Sequence, residues 1–273
     1  MKKILLKKIL LKLGLFPLFE QFNFQINRLK NKKKNNIFLR ENTHISLPPD
    51  FYLYETFGLD YSRYYFGGAH VAKWIFNNFK KHIKFNPKSK ILDWGCGPGR
   101  VIRHLPKIMG KENLYFGTDY NVNYIEWCTS NLTNIRFTLN QLSPPLKFED
   151  NYFDAIYGIS IFTHLSHEMH IKWIKELNRI TIKSGILLIT THGESFIHKL
   201  NNHEQELFLN GQLVEHKYKK EGNRLFASYQ PLTYFKNLCE NNGFTVLEHI
   251  HGVIKNQKPQ QDVWILKKTS NSS

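Results

Sequence analysis

An α/β fold, a mostly parallel sheet wound on both faces by helices, is predicted by three observations. Beyond residue 45, short apolar runs alternate with amphipathic stretches of helical period. One run, FDAIYGISIF from Phe153, is apolar almost throughout, as a central parallel strand covered on both faces must be. A glycine-rich turn, residues 95–99, follows the first apolar run directly, where a strand hands over to a helix.

The elements follow in order. KILDW, ending at Trp94, predicts the first strand and GRVIRHLPKI the helix after it. NLYFGTDY predicts a second strand ending near Asp119, NVNYIEWCTSNL a second helix, and IRFTL, around Phe137, a short third strand. The run from Phe153 is the fourth strand, and HEMHIKWIKELNRI the helix behind it. GILLITT begins the fifth strand at Gly185, placed just past a helix end. Residues 194–230 break the rhythm. Asn210-Gly211 and Glu221-Gly222-Asn223 are turn signals, and they predict a short helix and a β-hairpin inserted into the main fold as a lid. PLTYFKNLCENN then predicts a helix closed by Gly243, and FTVLEHI and DVWILKK complete a seven-stranded sheet.

Composition bounds the class. In 273 residues, 41% hydrophobic and 22% charged, a sizeable core is available, and neither wholesale disorder nor a polytopic membrane protein is expected. Cys96, Cys128 and Cys239 lie far apart, with no CxxC pair and no His cluster at zinc spacing. The expectation is three buried thiols, no disulfide framework, no structural metal and a reducing, cytoplasmic setting.

The net charge of +16 is unevenly placed. Residues 1–40 hold eleven Lys or Arg against Glu20 alone, a net +10. MKKILLKKILLKLGLFPLF is broken by Lys7, Lys8 and Lys12, so its apolar runs fall far short of a membrane span, and it lacks the cleavage site of a secretory signal. As a helix it gathers Leu5, Leu6, Ile9, Leu10 and Leu13 on one face and Lys3, Lys7, Lys8 and Lys12 around the other. RLKNKKKNN, residues 28–36, reads as a flexible basic linker. The expected organisation is a basic amphipathic arm and linker over residues 1–44, then one domain over 45–270 with residues 194–230 as an inserted, substrate-side segment. Residues 1–40 have the components of attachment to an anionic membrane surface, and packing on the domain or on a partner subunit is the alternative.

The chemistry is carried by Asp93-Trp94-Gly95-Cys96-Gly97-Pro98-Gly99. Glycines at such a turn let a ligand approach the main chain without a Cβ in the way, and a helix N-terminus offers free N–H groups. A dinucleotide would ask for GxGxxG, and Arg100 stands in the place of the third glycine. Asp119, twenty residues past Gly99 at the end of the next strand, suits acceptance of hydrogen bonds from both ribose hydroxyls of an adenosine cofactor. A helix N-cap is its bland alternative.

In these segments the chain resembles the class I S-adenosylmethionine-dependent methyltransferases, and more narrowly a small-molecule group similar to ubiquinone-biosynthesis methyltransferases. ILDWGCGPG resembles the first motif, GTDY the acidic second, PPLKFEDNYFD the segment leading to the fourth strand, and LNRITIKSGILLIT the later helix-turn-strand. The resemblance covers residues 65–192 and implies a Rossmann-like doubly wound sheet with S-adenosylmethionine as cofactor. It further implies that Asp93, Gly95, Cys96, Gly97 and Gly99 border the methionine part, Asp119 holds the ribose, Asn140 or Leu142 lies beside the adenine, and Tyr120 joins the cofactor-binding residues.

Because the cofactor carries an activated methyl group, a fixed catalytic residue is optional, and a general base adds about 10²–10⁴-fold for a hydroxyl acceptor. Candidates follow the carboxyl ends of the central strands: His164 in FTHLSHE and His192 in TTHGE, with hydrogen bonding to loop main chain as the alternative for each. His167 and His170 read as solvated helix residues. Tyr61, Tyr64 and Tyr65 in YSRYYFGG either wall an acceptor pocket or pack as ordinary core. The acceptor class expected is a small molecule, sugar or lipid head group, modified at a hydroxyl. A nucleic-acid methyltransferase is the rival that the charge suggests. Against it, no Asp/Asn-Pro-Pro-aromatic tetrapeptide follows the fourth strand and no Pro-Cys nucleophile is present. A non-catalytic binding module on the same fold has no use for both the glycine turn and Asp119.

Overall fold

The computed structural model describes residues 10 and 12–269. The amphipathic reading of the opening segment, through Leu5, Leu6 and Ile9, lies outside the described residues. The chain divides into two compact units, Met1–Val71 and Ala72–Ser273.

In the first unit, α1 (Phe16–Glu41), α2 (Asp50–Phe57) and the start of α3 (Tyr61–Phe79) enclose a small core of Leu53, Tyr54, Leu59 and Tyr64. Residues 28–36, expected as a flexible linker, are helical. Hydropathy misses the reason, which is that polar side chains fasten this helix. Asn35 is buried, giving its Nδ2 to the Leu59 carbonyl at 2.9 Å and taking the Tyr61 N–H on Oδ1 at 3.1 Å. Asn31 donates to the Gly58 carbonyl at 3.0 Å, and Lys34 pairs with Asp60. Phe38 is buried with Tyr61, Tyr65 and Phe66 edge-on around it. Tyr61 also donates its hydroxyl to Asp50, and Tyr64 is fully buried, so packing is the observed role of the three tyrosines.

The second unit is the α/β layer. Its strands are β1 (Lys90–Trp94), β2 (Leu114–Asp119), β3 (Arg136–Leu139), β4 (Phe153–Gly158), β5 (Thr181–Thr191), β6 (Val214–Lys217), β7 (Phe226–Tyr229), β8 (Phe244–Ile250), β9 (Ile254–Lys255), β10 (Lys258–Pro259) and β11 (Asp262–Lys268). Seven of them form one sheet in the order β3-β2-β1-β4-β5-β11-β8, parallel except for β11, which runs antiparallel to both β5 and β8. This is the Rossmann-like, doubly wound arrangement expected. Strand order reverses between β1 and β4, and ligands of such sheets bind outside the carboxyl ends of strands at that switch point.

The helices are α4 (Leu105–Met109), α5 (Val122–Asn131), α6 (His167–Ile180), α7 (Asn202–Leu209) and α8 (Leu232–Glu240). In α6, Ser166 caps the N-terminus by accepting from the Met169 N–H, and Met169, Trp173, Ile174, Leu177 and Ile180 recur at helical spacing on the buried face. They join Leu92, Trp94, Phe116, Phe153, Ile156 and Phe162 in the main core, each fully buried side chain contributing about 1.5–3 kcal/mol.

Three further expectations are corrected. The long helix expected after the glycine turn is a stretch of turn, one 3-10 turn at Ile102–His104 and then the short α4, which starts beside Pro106. Gly185 lies inside β5 rather than just past a helix; α6 ends at Ile180, and Ser184 takes the positive φ. His170, expected to be solvated, is fully buried, with Nε2 on the Phe162 carbonyl at 2.7 Å. The expected insertion is present: α7 and the antiparallel β6–β7 hairpin carry their own apolar cluster of Phe196, Leu200, Phe208, Val214 and Tyr229.

Candidate functional site

The chain turns immediately after β1. Gly95, Gly97 and Gly99 have φ of +78°, +52° and +71°, where an L side chain costs about 1–2 kcal/mol. The N–H groups of Gly95 and Cys96 both donate to the Thr118 carbonyl, at 2.8 and 2.9 Å, so the turn is stitched to β2. The glycines serve different ends. A Cβ on Gly99 would meet Leu132 Cδ1 at 2.6 Å and Cys128 Sγ at 3.1 Å, so this glycine lets α5 close against the turn. A Cβ on Gly95 would overlap the Ile161 side chain, whereas at Gly97 it would meet nothing within 4 Å. An open space therefore lies against the main chain at Gly97.

Asp119 closes β2 beside that space. Its Oδ2 accepts from the Gly97 N–H at 2.9 Å and its Oδ1 from the Asn121 N–H at 2.8 Å. The carboxylate, with about four acceptor sites, keeps capacity beyond these bonds. Burial pushes this carboxyl above its ordinary pKa, and the N–H groups of Asn121, Gly97 and Tyr120 pull it back. The N-cap of α5 is supplied by Asn121, which accepts from the Asn123 N–H, so the bland role weighed for Asp119 is taken by its neighbour.

Above the switch point lies a small cleft of about 70 Å³. Gly95 and Asp119 line it, joined by Tyr120, Asn140, Leu142 and His164. Asn140 lines the cleft, and its Oδ1 is buried with no hydrogen-bond partner among the described residues. The turn of the β6–β7 hairpin forms one wall. Gly222 lines the cleft, its N–H donating to the His164 carbonyl at 2.9 Å and its own carbonyl accepting the Tyr120 hydroxyl at 2.8 Å.

Asp93, Cys96, Gly97 and Gly99 are not in the cleft wall. Asp93 sits in β1, between Gly117 and Tyr157 of the flanking strands, and burial raises its pKa to about 7 against the opposing influence of the Tyr157 hydroxyl and Arg100. Cys96 is a buried thiol facing Gly117, whose Cβ would meet its Sγ at 3.1 Å.

Both candidate histidines are held by β7. His164 Nδ1 lies 2.7 Å from the Phe226 carbonyl and His192 Nδ1 3.1 Å from the Ser228 carbonyl. A carbonyl only accepts, so each ring carries its proton on Nδ1 and keeps the Nε2 lone pair. His164 lines the cleft, while His192 stands behind, its ring against Phe196 at 4.1 Å and Tyr229 at 5.4 Å. Burial lowers the pKa of His164, and that of His192 falls to about 3, chiefly by burial and then by the nearby His164. Both are neutral at physiological pH. The turn that carries His164 is locked from below, because the Phe162 carbonyl receives Ser228 Oγ at 2.9 Å, Gln230 Nε2 at 3.1 Å and His170 Nε2 at 2.7 Å.

Sequence reasoning did not single out Trp94, Ile161, Leu165, Trp173 or Gly222, which also line the cleft. Trp94 lies inside the quoted motif and Gly222 inside a noted turn signal, so both were within reach. Trp173 belongs to the buried face of a helix and carries no mark that separates it from core.

Residues 91–185, the span that bears this site, match the family model described as "Methyltransferase domain". Solved structures of low identity share the fold. A SAM-dependent methyltransferase from Methanosarcina mazei aligns at TM-score 0.53 and 19% identity, covering 71% of this chain and 97% of that one. An S-adenosylmethionine-dependent methyltransferase from Mesorhizobium loti aligns at 0.56 and 12%, covering 72% and 98%. Magnesium protoporphyrin IX methyltransferase from Synechocystis, solved with bound SAH, aligns at 0.52 and 13%, covering 74% and 82%. The family match falls on the glycine turn, Asp119 and the central strands, so this region is similar to a methyltransferase domain, and the chain shares the fold of S-adenosylmethionine-dependent methyltransferases.

Proposed function

We propose that the enzyme methylates a hydroxyl group of a small molecule, sugar or lipid head group, with His164 as the general base. The observation that carries this reading is the pairing of His164 Nδ1 with the Phe226 carbonyl in the wall of the cleft, which leaves Nε2 as a neutral proton acceptor. S-adenosylmethionine, when bound, supplies a sulfonium-activated methyl group. Asp119 would hold the ribose with its remaining acceptor capacity, Tyr120 would flank the nucleoside, and Asn140 or Leu142 would lie beside the adenine. The main chain at Gly95, Cys96, Gly97 and Gly99, with Asp93 beneath, would border the methionine part. His164 takes the hydroxyl proton as the oxygen–methyl bond forms, and the Phe226 carbonyl stabilises the charge that appears on the ring. His192 fixes the position of this pair through β7.

In this reading, catalysis belongs to residues 45–270, with residues 194–230 on the acceptor side. Residues 1–44 form a surface-attachment arm. Along α1, Leu18, Phe22, Ile26 and Leu29 are exposed at intervals of three or four residues, one stripe of a helix, and Lys30, Lys32 and Lys33 are exposed near its end. That combination suits an anionic membrane surface. Among the described residues no helix is long and apolar enough to cross a membrane, so attachment would be peripheral. The acceptor is tested by a labelled-methyl transfer screen against fractionated cell extract. Label in ether or ester products supports the hydroxyl reading; label confined to nucleic acid would replace it.

A further inference from the structure

At the far edge of the sheet, His249, His251 and Asp262 each present a ligand atom, and the three atoms lie within 4.8 Å of one another. The grouping follows from strand register. His249 stands opposite Trp264 and Ile250 opposite Val263, so one step further brings His251 level with Asp262. Side chains two apart share a face, and these four residues therefore share one. The sequence hides the cluster because its third member arrives across strands, not by local spacing.

We infer that this cluster is a site for a divalent d-block cation of the zinc class. Two imidazoles and one carboxylate form the three-ligand set that leaves a fourth position open for water. His249 Nε2 lies 2.8 Å from Asp262 Oδ2, so the pair needs to part by only about 0.5 Å to reach the separation of about 3.3 Å between two ligands that each sit about 2.0–2.1 Å from one tetrahedral ion. A cation bound there takes the place of the proton that these two atoms share.

The surroundings are those of supported ligands. The Gly252 N–H donates to Asp262 Oδ1 at 2.8 Å, which aims the other oxygen at His249. The His249 ring stacks on Trp264 at 3.9 Å and 26°, and Trp264 is itself anchored by its Nε1 on Thr191 Oγ1 at 2.9 Å. Asp262 is buried, His249 partly so, and His251 is exposed, which gives the cation access from solvent. The site also touches the loop after β5. A Cβ on Gly193 would overlap the Asp262 carboxylate, and Ser195 Oγ donates to the Gln260 carbonyl at 2.6 Å. A cation at this position would tie the ends of β8 and β11 together directly beneath the segment that begins at His192.

Cobalt titration of the full, untagged chain tests the inference after removal of metals with a chelator. One equivalent of Co²⁺ is expected to bind with the visible absorption of a tetrahedral or five-coordinate site, and Zn²⁺ is expected to displace it. His251→Ala removes an exposed ligand and leaves the His249–Asp262 pair intact, so the fold is kept; Co²⁺ affinity is expected to fall at least about tenfold. Zn²⁺ should raise the melting temperature of the wild-type chain and not that of the variant. Binding of equal strength in the two proteins, or no saturable binding in the wild type, would overturn the site and leave His249–Asp262 as a hydrogen-bonded pair.

Discussion

The main-chain N–H of Gly97 donates to Asp119 Oδ2 at 2.9 Å, so the two sequence features that point to an adenosine cofactor are physically one unit. Gly97 has positive φ and faces open space; Asp119 holds it there and keeps acceptor capacity of its own. Gly97→Val is expected to abolish S-adenosylmethionine binding, measured by calorimetry, at a stability cost of about 1–2 kcal/mol from the backbone conformation alone. Undiminished affinity in a folded variant would remove the turn from the cofactor site. Asp119→Ala should weaken binding by about 1–3 kcal/mol, and more than Asp119→Asn, which retains one acceptor for the N–H groups of Gly97 and Asn121.

His164→Gln tests the general base. Glutamine preserves a donor toward the Phe226 carbonyl but cannot take a proton, so turnover of a hydroxyl acceptor should fall by about 10²-fold or more at unchanged cofactor affinity. His192→Gln lies behind the cleft and should cost less in turnover than His164→Gln. Wild-type rates in both variants would mean that positioning alone does the catalysis.

The pH dependence has a definite direction. His192 titrates at about 3 in the fold, against about 6.5 when unfolded, and burial is the main cause. Below pH 6.5 the unfolded chain binds a proton that the native chain refuses, so the stability associated with a neutral His192 is complete above pH 6.5 and declines as pH falls toward 3. The slope approaches about 1.4 kcal/mol per pH unit for one such group. His164 is shifted the same way, and His170, lowered to about 4, adds to the loss over most of the window. Thermal melts between pH 7 and pH 4 should show falling stability, and His192→Gln should flatten the profile. The acid limb of kcat/KM should lie below pH 6.5, because burial shifts His164 below its ordinary value.

Strands were the legible part of this fold. β1, β2, β4, β5 and β11 are buried on both faces, and continuous apolar runs announce such strands without ambiguity. The hairpin at β6–β7 was legible too, through Asn-Gly and Gly-Asn turn chemistry rather than hydropathy. What escaped was structure held by polar groups. Residues 28–36 carry a run of charge that mimics a linker, yet Asn31 and Asn35 satisfy the main chain of residues 58–61, and only the folded neighbour reveals it. His170 misled for the same reason, since its burial is compensated by the Phe162 carbonyl. At the candidate site, residues carried by the glycine motif and by β2 could be named in advance. Ile161, Trp173 and Gly222 reach the cleft from three separate elements, and no local pattern marks that convergence.

The exposed stripe on α1 yields the last prediction. Phe22 and Leu29 are 66% and 73% exposed, so replacing both with Ser removes apolar surface without disturbing the side chains that fasten the helix, Asn31, Asn35 and Phe38. This makes Phe22→Ser with Leu29→Ser a cleaner probe than deleting residues 1–40, which would take Asn35 and Phe38 away with the stripe. Each basic residue near an anionic surface contributes about 1 kcal/mol, and the apolar stripe adds insertion to that attraction. The full chain is therefore expected to pellet with vesicles containing phosphatidylserine at low salt and to release as salt screens the lysines. The double variant should pellet less at every salt concentration and melt at the same temperature as the wild type. Equal sedimentation of the two proteins would show that charge alone drives any attachment, and no sedimentation of either would leave the stripe to a protein partner.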